Sequence, residues 1–290
     1  MTARIIDGRS LAGQVKTRLA SRIDGLRERG TTVRLDAVLV GADDGAAIYA
    51  RNQGRACHDL GIEHVLHELP AAAGDDDIAD RVRQLNDDDL AHAIMVHLPL
   101  PAGVDTEAIQ SLISPEKDVE GVNPENIGNI VYGRRSLVPC TALAVMEMIE
   151  STGAKLPGSR CVCVGASNIV GKPIVVLLMR DEATVISTNK YTPELASLTR
   201  TADILISAVG SPGLITAGMV KPGAVVIDVG ITRVKGPDGR YRTVGDVAFD
   251  GVAQVASALS PVPGGVGPMT VAMLLRNTVE SAERRAQGQS

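Results

Sequence analysis

The sequence predicts an α/β protein of two lobes, each built on parallel strands joined by crossover helices, and three observations carry that prediction. The core has to be aliphatic: hydrophobic residues make up 44% of 290, yet there is no Trp, one Phe (Phe249) and four Tyr. Parallel strands are buried on both faces and favour such Val/Ile/Leu-rich runs. Apolar runs of strand length alternate with segments of helical periodicity, and the alternation pauses near residue 140 and then restarts. The chain also holds 30 Gly, several of them directly after an apolar run, where a tight turn into a helix needs them. This length suffices for one large or two ordinary domains with a substantial core.

In segment 10–29, Leu11, Val15, Leu19, Ile23 and Leu26 recur at helical spacing, with Ser10 read as the N-cap. LDAVLVG (35–41) is a strand, 46–61 a helix stopped by Gly61, and HVLHEL (64–69) a strand. A helix around 76–87 and the strand HAIMVHLPLP (92–101) follow. The Pro/Gly/Asn-rich stretch 123–139 reads as irregular and 141–152 as a helix with Thr141 at its N-cap. The pattern then restarts with strands at 159–165, 183–188, 203–210 and 224–231. Helices from about 169, at 195–202 and near 216–220 connect them. A polar hairpin-like segment (232–246) precedes a last helix that begins after PVPGGVGPM (261–269) and runs to about Arg285. The expected domains are 1–140, completed by the C-terminal helix 269–290, and 141–268.

A net charge of −5 and few aromatic residues disfavour nucleic acid as a partner. No apolar run reaches the roughly 18 residues of a membrane span, and the N-terminus lacks the pattern of a signal peptide. Cys57, Cys140, Cys161 and Cys163 show no zinc-site spacing with histidine and read as reduced thiols, so no metal is expected. The aspartate runs 75–77 and 87–89 read as solvated helix ends, and Arg134 and Arg135 as surface residues. A soluble cytoplasmic protein is the expectation.

Gly165-Ala-Ser-Asn-Ile-Val-Gly171 lies between a strand and a helix. Glycine lets backbone approach a phosphate closely, and free amides at a helix N-terminus meet the anion. The spacing is not that of the common dinucleotide fingerprint, and an ordinary strand-to-helix turn is the competing reading. The later runs ending in AVG (208–210) and DVG (228–230) favour a nucleotide, because ligands of open parallel sheets bind at the carboxyl ends of strands. Beyond the second strand of this lobe stands Lys190, with no acid before Glu194, which favours NADP with NAD as the alternative; a solvated surface lysine is the competing reading.

The stretches LPLP (98–101), KDVEG (117–121), PCT (139–141), GASNIVGKP (165–173), DVGI (228–231) and PVPGGVGPMT (261–270) stand in order with consistent spacing. Together they resemble the methylenetetrahydrofolate dehydrogenase/cyclohydrolase family along essentially the whole chain. The resemblance implies a folate-binding lobe, a Rossmann-like NADP-binding lobe, a folate cleft between them, a final helix returning to the first lobe, and a homodimer. It implies substrate contacts at Tyr49, Leu98, Pro99, Glu120, Gly264, Gly265 and Pro268. It implies cofactor contacts at Gly165, Ser167, Ile169, Val170, Lys190, Ala208, Val209, Gly210, Ile231 and Thr270.

Four positions depart from the family pattern. Its lysine, four residues after the tyrosine, is Gln53; its glutamine before LPLP is His97; its pterin-binding aspartate is Glu120; and its serine is Ala46. The catalytic set is therefore Tyr49, Gln53, His97 and Glu120. The family's dehydrogenase step moves a hydride and rests on positioning, whereas its cyclohydrolase step moves protons and depends on an acid/base group. A glutamine cannot titrate, so the expected activity is oxidation of methylenetetrahydrofolate with cyclohydrolysis lost or weak. The alternatives are a bifunctional enzyme in which His97 replaces the lysine, a paralogue acting on another reduced one-carbon carrier, and a binding protein.

Overall fold

The structure is a computed structural model that describes residues 2–41, 44–236 and 239–288. The elements begin with β1 (Arg4–Ile5), α1 (Gly8–Glu28), β2 (Arg34–Val40), α2 (Asp44–His58), β3 (Glu63–Leu69), α3 (Asp75–Asp87) and β4 (Ala93–Val96). They continue through α4 (Thr106–Leu112), α5 (Pro124–Val131), α6 (Cys140–Glu150), β5 (Arg160–Val164), α7 (Gly171–Arg180), β6 (Thr184–Thr188), α8 (Leu195–Thr199) and β7 (Ile204–Ser207). A 3-10 turn (Ala217–Met219), β8 (Val225–Asp228), β9 (Thr232–Lys235), β10 (Tyr241–Val244), α9 (Phe249–Val252), β11 (Ala258–Leu259) and α10 (Val266–Ala286) complete the chain.

The chain divides into two compact units. The catalytic unit comprises Gln14–Cys140 and Val271–Ser290 and holds a parallel sheet in the order β3-β2-β4. One face of it packs Val38, Val40, Ile94 and Val96 against Ile78, Val82 and Leu85 of α3 and Ile109 of α4. The nucleotide unit comprises Met1–Gly13 and Thr141–Thr270, with a parallel sheet in the order β1-β11-β8-β7-β5-β6. The alternation of β5 through β8 with helices makes it a Rossmann-like sheet whose order reverses at β5. No helix among the described residues is long and apolar enough to cross a membrane.

Several sequence expectations are corrected. Residues 1–13 belong to the nucleotide unit, because β1 pairs in parallel with β11 through Arg4↔Ala258 and Ile5↔Leu259. The cap of α1 is Asp7, whose Oδ1 accepts from Arg9 N at 2.9 Å and Ser10 N at 3.2 Å, so Ser10 lies inside the first turn. Helix α6 already begins at Cys140, so Thr141 is not its N-cap. The stretch 123–139 contains α5, started by Asn123 Oδ1 accepting from Glu125 N at 2.8 Å with Pro124 in the first turn. Helix α10 starts at Val266, inside the PVPGGVGPM stretch expected to precede it. The hairpin is real, although its Pro237 and Asp238 lie outside the described residues, as do Gln289 and Ser290 of the polar tail.

Lys117, part of the KDVEG motif, is a structural cap. Its buried ammonium donates to the carbonyls of Leu85 at 3.0 Å, Asn86 at 2.6 Å and Asp88 at 2.8 Å, closing the C-terminal end of α3. The neighbouring Asp118 accepts from Gly121 N, Asn123 N and Asn126 Nδ2 and fixes the turn that follows. Asn277 of α10 donates to the Val119 and Val138 carbonyls, tying the last helix into this unit. Replacing Lys117 by Met leaves those carbonyls buried without a donor; the expected cost is about 3 kcal/mol, read as a lowered chemical-denaturation midpoint.

Candidate functional site

In the catalytic unit the site is assembled from α2, the end of β4 and the turn at Glu120. Tyr49 and Gln53 stand one turn apart on α2 and so share a face. Met95 and His97 alternate along β4 and its extension, where His97 N donates to Val38 O at 2.8 Å and prolongs the strand pairing. Gln53 is 3% exposed; its Nε2 lies 2.7 Å from Met95 Sδ, and its Oε1 is buried with no partner among the described residues. The His97 imidazole is equally buried, meets the Tyr49 ring edge-on at 5.9 Å, and leaves Nε2 without a partner among the described residues. Burial, with His64 adding to it, pushes His97 down to about 4, so the ring is neutral at pH 7.

Glu120 follows Asp118 and Val119, and its Oε2 is buried with no partner among the described residues. Burial and then the charge of Asp118 push its carboxyl up to about 8. Tyr49 is part-exposed, and desolvation followed by the charges of Glu120 and Cys140 raises its phenol to about 12. Cys140 is no nucleophile: its buried Sγ donates to Val119 O at 3.1 Å, and burial beside Glu120 and Asp118 raises it well above the ordinary thiol range. Tyr49 thus has His97 against its ring, Gln53 one turn along α2, and Glu120 near enough for its charge to act on the phenol. Leu98 is exposed at a cis Leu98–Pro99 peptide immediately beyond His97, and Ala46 is buried one turn before Tyr49.

In the nucleotide unit the loop Gly165–Gly171 leaves β5 at the point where the sheet order reverses. Gly165 has φ +107°, and a Cβ there would meet Ala208 O at 2.3 Å, so the loops after β5 and β7 lie backbone against backbone. A Cβ on Gly171 would meet Gly165 O at 2.0 Å. Val170 gives α7 no side-chain cap; in the first turn Lys172 N donates to Ser167 O at 3.0 Å and Pro173 has no N–H, so Gly171 N is the amide left weakly engaged. Ser167 Oγ accepts only a long bond, 3.4 Å, from Gly171 N, and Ile169 is exposed. These residues fit a dinucleotide. Lys190 lies just past β6 with its ammonium 4.9 Å from the centre of the Tyr191 ring, a cation–π contact.

The loop 261–268 lines a cavity of about 150 Å³ with Arg9, Asp228, Ile231 and Thr243. Gly264 has φ +108°, and a Cβ on Gly265 would meet Pro261 O at 2.5 Å, so both glycines are sterically required. Gly264, Gly265, Pro268 and Ile231 therefore share one cavity wall. Thr270 lies one turn into α10, its Oγ1 donating to Val266 O at 3.2 Å. Sequence reasoning missed Arg9 and Asp246. Arg9 carried no motif, whereas the Gly245-Asp246 pair closing the hairpin mirrored the Asp228–Gly230 turn. Among the described residues no group of three or more His, Cys, Asp or Glu side chains is placed to hold a metal ion.

A Rossmann-like unit with a glycine turn at its switch point defines the class, a dinucleotide-binding α/β protein. Two family models match the chain: the tetrahydrofolate dehydrogenase/cyclohydrolase catalytic domain over residues 6–120 and the NAD(P)-binding domain of the same family over 139–286. The chain belongs to the tetrahydrofolate dehydrogenase/cyclohydrolase family. It is 46% identical to the bifunctional protein FolD of Moorella thermoacetica, covering 98% of this chain and 100% of that one. The FolD structure from Campylobacter jejuni superposes with a TM-score of 0.94 at 37% identity, covering 98% of this chain and 99% of that one. The Trypanosoma brucei FolD structure, complexed with NADP cofactor and inhibitor, gives 0.92 at 38%, with 98% and 99% covered.

The two perturbed groups make opposite contributions to stability. Below pH 6.5 an unfolded histidine takes up a proton that folded His97 resists down to about 4, so stability falls as pH drops through that window. Between 4.5 and about 8 an unfolded glutamate is ionised while Glu120 remains neutral, so stability falls as pH rises through that window. Thermal melts at several pH values should therefore show H97N flattening the acid-side loss and E120Q flattening the alkaline-side loss.

Proposed function

We propose that this chain oxidises methylenetetrahydrofolate to methenyltetrahydrofolate with NADP and hydrolyses the methenyl product weakly or not at all. The nicotinamide of NADP supplies the hydride acceptor. On the family resemblance, Tyr49, Leu98, Pro99, Glu120, Gly264, Gly265 and Pro268 are the residues assigned to the donor. The glycine turn 165–171, Lys190, Ala208, Val209, Gly210, Ile231 and Thr270 are assigned to the cofactor. A cytoplasmic homodimer is proposed on the family resemblance.

The observation that carries the reading is Gln53. It occupies the position assigned to the family's lysine, deep against Met95, and cannot give up or take a proton. Tyr49, held near 12, stays a neutral phenol, and His97, held near 4, stays a neutral imidazole. Hydride transfer asks only that the reacting carbons be aligned, which neutral hydrogen-bonding groups can do. Adding water and opening the ring asks for a group that exchanges protons near pH 7.

A second reading keeps hydrolysis, and Glu120 favours it more than His97 does. A carboxyl held at about 8 titrates close to neutral pH, with Oε2 buried and unpartnered among the described residues. The relatives from Moorella thermoacetica and Campylobacter jejuni are bifunctional by name. Reduction of NADP by methylenetetrahydrofolate, followed by the methenyl absorbance over time, separates the readings. The expected record is cofactor reduction with a methenyl signal that decays at the spontaneous rate, and Gln53→Lys speeding that decay by roughly tenfold or more. Fast decay in the natural protein that disappears in Glu120→Gln would establish the second reading instead. No reduction with NADP or NAD would overturn both.

A further inference from the structure

Behind the cofactor loops lies a pair of buried aspartates that the assignments above leave unused. Asp228 ends β8 in the sequence Asp-Val-Gly230, and Asp246 follows β10 in the sequence Gly245-Asp. The two turns interlock. A Cβ on Gly245 would meet Asp228 Oδ2 at 2.0 Å, and a Cβ on Gly230 would meet Asp246 Oδ1 at 2.2 Å, so each carboxylate lies on the other's glycine. Asp228 Oδ1 accepts from Gly230 N and Asp246 N, both at 3.0 Å, and its Oδ2 accepts from Val247 N at 2.9 Å. These bonds staple the exit of the hairpin to the end of β8.

Asp246 is thereby aimed at the next strand. It is wholly buried, and its Oδ2 accepts from Ser207 Oγ and Val209 N, each at 2.9 Å, while Oδ1 accepts from Ser211 N at 2.7 Å. The two amides flank Gly210, which has φ +69°. The same turn carries Ala208, whose carbonyl is the atom that excludes any side chain at Gly165. One carboxylate thus sets the course of the loop after β7, and through Ala208 the spacing from the glycine turn after β5.

We propose that Asp246 is a positioning residue for the cofactor: it holds the Ala208–Ser211 turn in its binding conformation before the cofactor arrives, without touching the cofactor itself. The inference rests on the reading that Ala208, Val209 and Gly210 line the nucleotide site. A turn left without this anchor would have to be ordered at the moment of binding, and that cost would be subtracted from affinity. A carboxylate suits the task because it offers acceptor positions on both oxygens and no donor. Asparagine at the same place presents an N–H₂ to at least one N–H or O–H donor.

The test compares NADPH binding by titration calorimetry, thermal stability and steady-state kinetics in the natural protein, Asp246→Asn and Ser207→Ala. Asp246→Asn is expected to raise the NADPH Kd and the cofactor KM by about tenfold or more, with kcat at saturating cofactor within about threefold. Ser207→Ala removes a bond to Asp246 without freeing either loop amide; it is expected to lower Tm and leave the Kd within about twofold. An Asp246→Asn protein with lowered Tm and unchanged Kd would reduce the residue to a structural role and overturn the proposal. Failure of the natural protein to bind NADPH would instead overturn the cofactor reading beneath it. Should Asp246→Asn not fold, amide hydrogen exchange on the natural protein decides. Protection of Val209 and Ser211 N–H without NADPH is the expected result, and protection that develops only on adding NADPH overturns preorganisation.

Discussion

Backbone packed on backbone is the constraint from which the nucleotide unit follows. Neighbouring parallel strands deliver their carboxyl ends to one edge, and there the chain has to turn in less room than a side chain needs. Gly165 against Ala208, Gly171 against Gly165 and Gly8 against Gly265 are three instances, each with a carbonyl oxygen where a Cβ would stand. A loop so tightly laid brings backbone rather than side chains to that edge, which permits the close approach a phosphate needs. The buried aspartates behind it extend the same logic, since polar backbone that cannot reach a strand partner takes a carboxylate oxygen instead.

The catalytic unit divides its buried polar groups into two populations. Lys117, Asp118 and Asn277 spend their hydrogen-bonding capacity on backbone, and their work is to hold α3, the turn after Val119 and α10 in place. Gln53 and His97 are buried too and Glu120 is partly so, yet each keeps one buried side-chain atom without a partner among the described residues. An unsatisfied buried polar atom is costly in a folded protein and calls for an explanation.

The order of strands and helices was legible because long amphipathic stretches and aliphatic runs announce themselves through periodicity. Short elements were not. β1 and β11 are two-residue strands that exist through pairing with each other and with β8, which no local pattern encodes. Helix α5 hides in a Pro/Gly/Asn-rich stretch because its Asn and Pro serve as cap and first turn, the same residues that elsewhere mark loops. At the site, the motifs identified which residues matter and not what each does. Lys117 stands in the most recognisable acidic-basic motif and is a helix cap, whereas the perturbation of Glu120 arises from burial and from Asp118, which only the tertiary structure supplies.

The way the chain is shared between the units has a consequence for its synthesis. Residues 1–13 belong with 141–270, and 14–140 belong with the residues from 271 onward. A ribosome releasing the chain from its N-terminus therefore delivers β1 long before β11, the strand it pairs with, exists. The segment 14–140 likewise emerges without the helix whose Asn277 closes its last turns. The catalytic unit therefore lacks part of its chain until the residues from 271 onward are made, whereas the nucleotide unit has all of its chain at Thr270. Damage near the C-terminus should accordingly be felt in the catalytic unit, whose chain is closed by Asn277 of that last helix.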